Sequence, residues 1–240
     1  MKFSVITPTF NAAQHIERNI RSVVAQEVAE LQHLIIDNCS TDGTLDIVKA
    51  CNSPFVRIVS EKDNGIYDAF NKGIALATGE VIATLNADDF YLDGALNAVV
   101  DAFTAHPDVA CVHGNIRVER NGTPVTLRPR SGIFSYGGAR VFHPAFFCRR
   151  RVFEKIGNFD TRYPVAADFD FMLRARKQFP FFHLDRPLTH FSLGGFSTRR
   201  RFQSSHEVRA IARSQGFGAV RTTLVWLLEM GIKSIGSLRS

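Results

Sequence analysis

Long apolar runs are missing from this 240-residue chain: no stretch approaches the roughly 18 apolar residues of a membrane-spanning helix. Cysteine is sparse and scattered. Cys39, Cys51, Cys111 and Cys148 form no CxxC pair, and no histidine stands at zinc-finger spacing, so neither a disulfide framework nor a zinc module is encoded. They read as reduced thiols of a cytosolic protein. The N-terminal "MKFSVITPTFN" meets Pro8 and Asn11 too soon for the apolar region of a secretion signal, which gives the same expectation. There is no internal repeat and no low-complexity linker, and the first strand is followed by "TPTFNAAQ" rather than a glycine-rich phosphate loop.

What is present suits one domain with a substantial core. Apolar residues make up 45%, which argues against disorder. The formal net charge of +6 conceals two opposite halves. Up to Asn115 there are 7 Lys/Arg against 15 Asp/Glu, a net −8; beyond it 22 stand against 8, a net +14. Such asymmetry suggests an acidic, metal-binding half joined to one that faces something anionic: a diphosphate, a lipid surface or a nucleic acid.

Periodicity supplies the outline. Phe3–Thr7 reads as a strand, 12–26 as a helix with Ile16, Ile20, Val23 and Val24 on one face, and "HLIID" (33–37) as a second strand. Leu45–Ala50 continues as a helix, "FVRIVS" (55–60) as a strand, and Ile66–Ala77 as a helix with Gly79 for its C-cap. "EVIATL" and a helix striped by Leu92, Leu96, Val99, Val100 and Phe103 follow. Strands alternating with helices predict a parallel, doubly wound α/β sheet. After Val109 the pattern changes to a hairpin at Asn121-Gly122, a helix from about Ala167 to Lys177, strands near 181–184 and 188–193, and two tail helices broken at Gly216-Phe217-Gly218.

Parallel sheets bind ligands beyond the carboxyl ends of their strands. Asp37, the group Pro8, Thr9 and Asn11, and the pair Asp88-Asp89 of "TLNADDF" all fall at such ends. Adjacent carboxylates repel unless a cation compensates, and Mg²⁺ or Mn²⁺ is commonly held by one or two carboxylates plus phosphate oxygens. A helix-capping role accounts for one of the two acids but not for both.

"SVITPTFN", "IIDNCSTDGT", "EKDNGIYDAFNKGIALATGE", "LNADD" and "GNFDTRYPVAADFDFMLR" together resemble the family 2 glycosyltransferases, whose nucleotide-sugar domain has the GT-A fold. The wording of "NGIYDAFNKGI" and "HFSLGGFST" is most similar to bacterial enzymes of exopolysaccharide, colanic acid and glycolipid synthesis. The resemblance implies a Rossmann-like, mostly parallel sheet with helices on both faces. It implies a GT-A unit over 1–198, with 1–115 as the nucleotide-sugar half and 116–198 as the acceptor half, and a basic amphipathic tail over 199–240.

It also implies roles. Asp37 would meet the donor's base with Pro8, Thr9 and Asn11 lining that pocket; Asp88 would face ribose and sugar; Asp89 would ligate the metal, with Asp88 as the less certain partner. Lys72 would approach the phosphates and Asp168 would be the catalytic base. From the residues themselves, Tyr67 would shape the donor pocket or serve packing, His143 is a candidate for stabilising charge on the departing diphosphate, and Arg199, in the basic segment after Gly194-Gly195, would close over the diphosphate or meet an anionic acceptor. The family's acidic triplet begins with an acid where this chain has Asn86, and its Glu-Asp pair is here Ala167-Asp168. The expected reaction is transfer of a hexosyl group, with inversion, from a UDP- or GDP-sugar to a saccharide or polyprenyl-diphosphate-linked saccharide. The expected cofactor is Mn²⁺ or Mg²⁺.

The tail stripe of Val220, Leu224, Leu227, Leu228, Gly231, Ile235 and Leu238, beside Trp226 and several basic residues, either lies in the headgroup plane of an anionic membrane or packs on protein. Peripheral placement on the inner face of the cell membrane is the expectation, and the oligomeric state stays open. Two other readings stand beside the transferase: a sugar-1-phosphate nucleotidylyltransferase, and a non-catalytic membrane- or nucleic-acid-binding module. No nucleic-acid-binding motif supports the last of these.

Overall fold

The β-branched N-terminal run becomes β1 (Lys2–Thr9), a strand buried along nearly its whole length because it is flanked on both edges and covered on both faces. The computed structural model describes residues 1–130, 132–138, 140–195 and 200–237. In chain order β1 is followed by α1 (Ile16–Val24), β2 (Glu30–Asp37), α2 (Thr44–Ala50), β3 (Val56–Ser60), α3 (Ile66–Leu76) and β4 (Val81–Thr84). Then come β5 (Phe90–Tyr91), α4 (Ala95–Ala105), β6 (Cys111–Arg120), β7 (Thr123–Leu127), β8 (Phe146–Arg149), α5 (Arg150–Ile156), α6 (Ala167–Gln178) and β9 (Phe181–His190). The tail forms α7 (Arg201–Ser214) and α8 (Ala219–Ser237).

Among the described residues the sheet has nine strands in the order β3-β2-β1-β4-β8-β6-β9-β5, with β7 pairing β6. The first four strands are mutually parallel, as the helix–strand alternation predicts. β8 then enters antiparallel between β4 and β6, β9 runs parallel to β6, and β5 closes the far edge antiparallel to β9. Side chains alternate across β1. Phe3 and Val5 pack with α4 through Leu96, Val99 and Phe103, while Ile6 packs with α3 through Phe70 and Ile74.

Two details differ from the sequence reading. Gly79 is not the cap of α3, which ends at Leu76 with Ala77 as its C-cap; a Cβ on Gly79 would lie 2.4 Å from the Ser4 backbone nitrogen, so the residue is small because β1 passes directly beneath it. The two strands expected at 181–184 and 188–193 are one strand, β9. Its register against β6 slips around Asn115, and this irregularity accommodates Pro187 within a strand.

The tail is docked on the domain. Val208, Ile211 and Val225 pack with Tyr136, Phe169 and Leu173, and the break between α7 and α8 falls at Gly216-Phe217-Gly218 as predicted. Glu229, 3% exposed, is paired with Arg140 and, at 3.5 Å, with Arg130. Removing one partner of a buried pair leaves an uncompensated charge. Arg130→Ala/Arg140→Ala, which removes both partners, should therefore cost roughly 3 kcal/mol of unfolding free energy in urea titrations. The opposite face of α8 presents Val220, Leu224, Leu227 and Leu228, each 43–84% exposed.

His33 on β2 is wholly buried, with Nε2 2.9 Å from the Thr7 hydroxyl and Nδ1 without a partner. Burial pushes its pKa down from 6.5 to about 3. The unfolded chain thus binds a proton below pH 6.5 that the folded chain refuses until about pH 3, and stability falls as pH drops through that window. At pH 5 this one residue should contribute a loss on the order of 2 kcal/mol relative to pH 7.5. Urea midpoints at the two pH values should differ less for His33→Asn than for the wild type.

Candidate active site

The carboxyl ends of β1, β2 and β4 open onto one cleft of about 660 Å³. Its walls include Pro8, Thr9, Phe10 and Asn11 after β1, Asn38 after β2, Asp63 and Gly65 before α3, and Asn86, Ala87 and Asp88 after β4. Of the residues expected to bind the donor, Pro8, Thr9, Asn11 and Asp88 line this cleft.

Asp37 is not on this surface. It is fully buried, and its carboxylate accepts hydrogen bonds from the hydroxyls of Thr9 (3.1 Å), Ser40 (2.5 Å) and Ser60 (2.7 Å) and from the Ser40 amide (3.0 Å). No lone-pair direction is left for a ligand, and the position facing the cleft belongs to its neighbour Asn38. Asn38 and Asp63 escaped the sequence reading; the 3.0 Å bond from the Asp63 amide to Asn38 Oδ1 joins them. Lys72 also points elsewhere, with Nζ 2.9 Å from Glu61 and 2.6 Å from the Lys62 carbonyl oxygen. Arg199 lies outside the described residues, while the next residue, Arg200, lines the cleft.

The two adjacent acids divide by depth. Asp88 lines the cleft; Asp89 is 1% exposed, accepts the Ser192 amide at 2.9 Å through Oδ1 and leaves Oδ2 without a partner. Burial, then the nearby Asp88 charge, pushes the Asp89 pKa well above the ordinary carboxylate value. Of the two acids expected to hold a metal, Asp88 is the one that faces the cleft, and Asp89 lies behind it. The 191–195 loop seals this corner: the Ser192 hydroxyl donates to the Asp88 carbonyl oxygen at 2.5 Å, and a Cβ on Gly195 would come within 2.7 Å of Asp88 Oδ2. An orphaned carboxylate oxygen beside a second carboxylate fits a hard divalent cation that completes its shell with phosphate oxygens. Among the described residues no three acid, histidine or cysteine side chains converge on such an ion.

A second pocket of about 280 Å³ adjoins the first and shares Ile66 and Asn86 with it. Here Tyr67, His143 and Asp168 come together from α3, a 3₁₀ turn (His143–Ala145) and the first turn of α6. The Tyr67 hydroxyl lies 2.9 Å from Asp168 Oδ1 and 3.1 Å from the Val165 carbonyl oxygen. Burial and the Asp168 charge push the Tyr67 pKa up, so the phenol stays a donor. His143 Nδ1 is 3.5 Å from Asp168 Oδ2, and its Nε2 is 3.2 Å from Asn86 Nδ2.

Burial lowers the His143 pKa against the opposing pull of Asp168 and Asp88. A neutral ring carrying its hydrogen on Nδ1 satisfies both neighbours, because the Asn86 amide can then donate to Nε2. An aspartate at position 86 has no such hydrogen when ionised. Asp170, two residues beyond Asp168, is paired with Arg174 at 2.7 Å. From the tail, the Glu207 carboxylate accepts the amides of Val165 and Ala166, both at 2.9 Å, at the start of α6, where no side chain of the helix's own cap does so.

The family model described as "Glycosyl transferase family 2" matches residues 4–202. The chain belongs to this family. A PGL/p-HBAD biosynthesis glycosyltransferase of Mycobacterium bovis is 34% identical over 186 residues, 72% of this chain and 68% of the relative. The chondroitin synthase of Escherichia coli is 29% identical over 189 residues, 76% of this chain but 28% of that longer protein. In solved structures the fold is matched by S. aureus TarS (1–349) with UDP, at TM-score 0.72 and 19% identity over 96% of this chain and 71% of that one. It is matched too by the mannosyltransferase PcManGT of Pyrobaculum calidifontis with GDP-Man and Mn²⁺, at TM-score 0.71 and 22% identity over 95% and 68%. The fold is GT-A, and this family 2 enzyme is a nucleotide-sugar-dependent glycosyltransferase.

Proposed function

We propose that the enzyme moves a hexosyl group, with inversion, from a UDP- or GDP-sugar to a hydroxyl of a saccharide or lipid-linked saccharide in the assembly of an exopolysaccharide, capsule, lipopolysaccharide or glycolipid. One observation carries this reading: two pockets meet at Ile66 and Asn86, with a half-buried carboxylate that lines the cleft, Asp88, on one side and a hydrogen-bonded one, Asp168, on the other. The larger pocket suits the nucleotide and sugar, with Asn38 and Asp63 toward the base and Asp88 and Arg200 toward the diphosphate. The smaller one suits the acceptor.

In this arrangement Asp168 takes the proton from the acceptor hydroxyl as its oxygen attacks the anomeric carbon; the bond from that carbon to the diphosphate breaks, and the configuration inverts. The shared Tyr67 hydrogen and the neutral His143 hold the Asp168 carboxylate in one orientation. Phe142, Phe191 and Leu193 line the acceptor pocket and limit the water that could compete with the acceptor. Asp88, with Asp89 behind it, would hold a divalent cation, Mn²⁺ or Mg²⁺, which when bound would supply neutralisation of the charge on the diphosphate leaving group.

The exposed stripe of α8 supports contact with the head groups of an anionic membrane, where a lipid-linked acceptor would be met. No helix among the described residues is long and apolar enough to cross a bilayer. Melting the full-length protein with UDP-GlcNAc, UDP-Glc and GDP-Man, each with and without Mn²⁺, tests the donor reading. One of these should raise Tm in a Mn²⁺-dependent manner, since a ligand at a hundred times its Kd adds about 2.7 kcal/mol. No shift with any nucleotide sugar would overturn the reading.

A further inference from the structure

Away from both pockets, β6, β9 and β5 carry a lateral row of side chains on one face. Arg117 stands opposite His190 in the β6–β9 ladder, and His190 stands opposite Phe90 in the β9–β5 ladder. The Phe90 and His190 rings stack at 4.4 Å with 11° between their planes, and the Arg18 guanidinium of α1 lies 4.3 Å from the Phe90 ring centre. The row therefore reads Arg117, His190, Phe90, Arg18. Its outer side borders a groove of about 660 Å³, to which Arg186 adds a third cation at the bend of β9.

The charges in this groove are not matched. Arg21, a fourth arginine on its wall, is bound to Glu17 at 2.6 Å. Arg18, Arg117 and Arg186 have no carboxylate within ion-pair distance among the described residues; Arg186 reaches only the Asp93 carbonyl oxygen, at 3.4 Å. The one acid lining the groove is Asp93. His190 is held off protonation by burial and then by Arg18, against the opposing pull of Glu119 and with Arg117 adding a smaller push, and its Nδ1 is buried without a partner. Like charges gathered by three elements are an unfavourable arrangement until an anion joins them. Stacking on Phe90 also fixes the Arg18 fork in advance, which lowers the entropic cost of each hydrogen bond it makes.

We infer that this groove is a second anion site, built to take a phosphoryl group of a phosphate ester. Guanidinium forks match phosphate oxygens two at a time, and a phosphate dianion balances three arginines and one aspartate better than a single carboxylate does. The groove has room for a sugar or glycerol unit attached to that phosphate. It shares no lining residue with the cleft of Asp88 or with the pocket of Asp168, so the inference stands independently of the donor and acceptor assignments. Two sources carry this chemistry, a soluble phosphate ester and a phospholipid head group.

Calorimetric titration of the full-length protein with glycerol 3-phosphate, in the absence of divalent cation, tests it. Wild type and Asp88→Asn should bind alike, whereas Arg117→Gln/Arg186→Gln should bind about tenfold or more weakly, one lost charge-assisted bond being worth roughly that factor. The wild-type affinity should also fall with added salt. Absence of binding by wild type at millimolar ligand, or equal binding by the double variant, overturns the site; so does loss of binding in Asp88→Asn alone. Co-sedimentation with phosphatidylcholine vesicles, with and without phosphatidylglycerol, then separates the sources. Weaker sedimentation of the double variant on the anionic vesicles assigns the lipid head group, and unchanged sedimentation assigns the soluble ester.

Discussion

Asp168→Asn is expected to lower kcat for sugar transfer by about two to four orders of magnitude, the usual worth of a positioned general base. The substitution preserves shape: an amide oxygen can still accept the Tyr67 hydrogen from 2.9 Å, and α6 keeps its first turn. Only the capacity to receive the acceptor's proton is removed. Affinity for the nucleotide sugar should therefore stay within about twofold in calorimetry, because Asp168 lines the smaller pocket and not the donor cleft. Transfer at an undiminished rate would remove Asp168 from the role of base, and loss of donor binding would place it in the donor site.

The paired acids give the second large effect. Asp88→Asn should abolish the Mn²⁺-dependent part of nucleotide binding and reduce transfer by about 10²–10³, comparable with losing one preorganised electrostatic group at a reacting centre. Asp89→Asn should act differently. Asp89 lies behind Asp88 and off the cleft surface, and an asparagine retains an oxygen for the Ser192 amide. Its unfolding free energy should change little, and its transfer rate should fall less than that of Asp88→Asn. The reverse order of effects would return the metal to Asp89. Both assays are made on the same protein preparations, with Mn²⁺ titrated from zero.

Much of this was readable from the sequence, and the misses have specific causes. Helix–strand alternation and the apolar spacing of Ile16, Ile20 and Val23 or Phe70 and Ile74 gave the parallel half of the sheet, since each periodicity is a direct consequence of burial on one face. The insertion of β8 between β4 and β6 was not readable, because strand neighbours distant in the chain leave no local mark. Gly79 looked like a cap because caps and close approaches use the same residue.

Among the site residues, strand ends located the cleft but not which of two adjacent side chains enters it. Asn38 follows Asp37 at the end of a strand, where one position reverses the side chain, and Asp88 and Asp89 stand in a turn closed by the Asp89 amide on the Asn86 carbonyl oxygen at 3.1 Å, which sets the two at different depths. Lys72 could have been excluded. It lies five residues from Tyr67, about 140° around the helix, so the face that brings Tyr67 to the pocket turns Lys72 from it. The alliance of Asn86, His143 and Asp168 spans residues 86 to 168 and required the fold.

The saturated carboxylate of Asp37 bears on how donor preference can change over evolutionary time. One side chain ties the ends of β1, β2 and β3 together through Thr9, Ser40 and Ser60, so the floor of the cleft is a shared fastening and any exchange there disturbs three strands at once. The rim is free of that duty. Phe10, at 62% exposed, together with Asn11, Asn38 and Asp63, borders the same cleft from loops, where replacement leaves the sheet untouched. Variation in nucleotide choice should accumulate on those four positions, while the residue beneath them stays an acid.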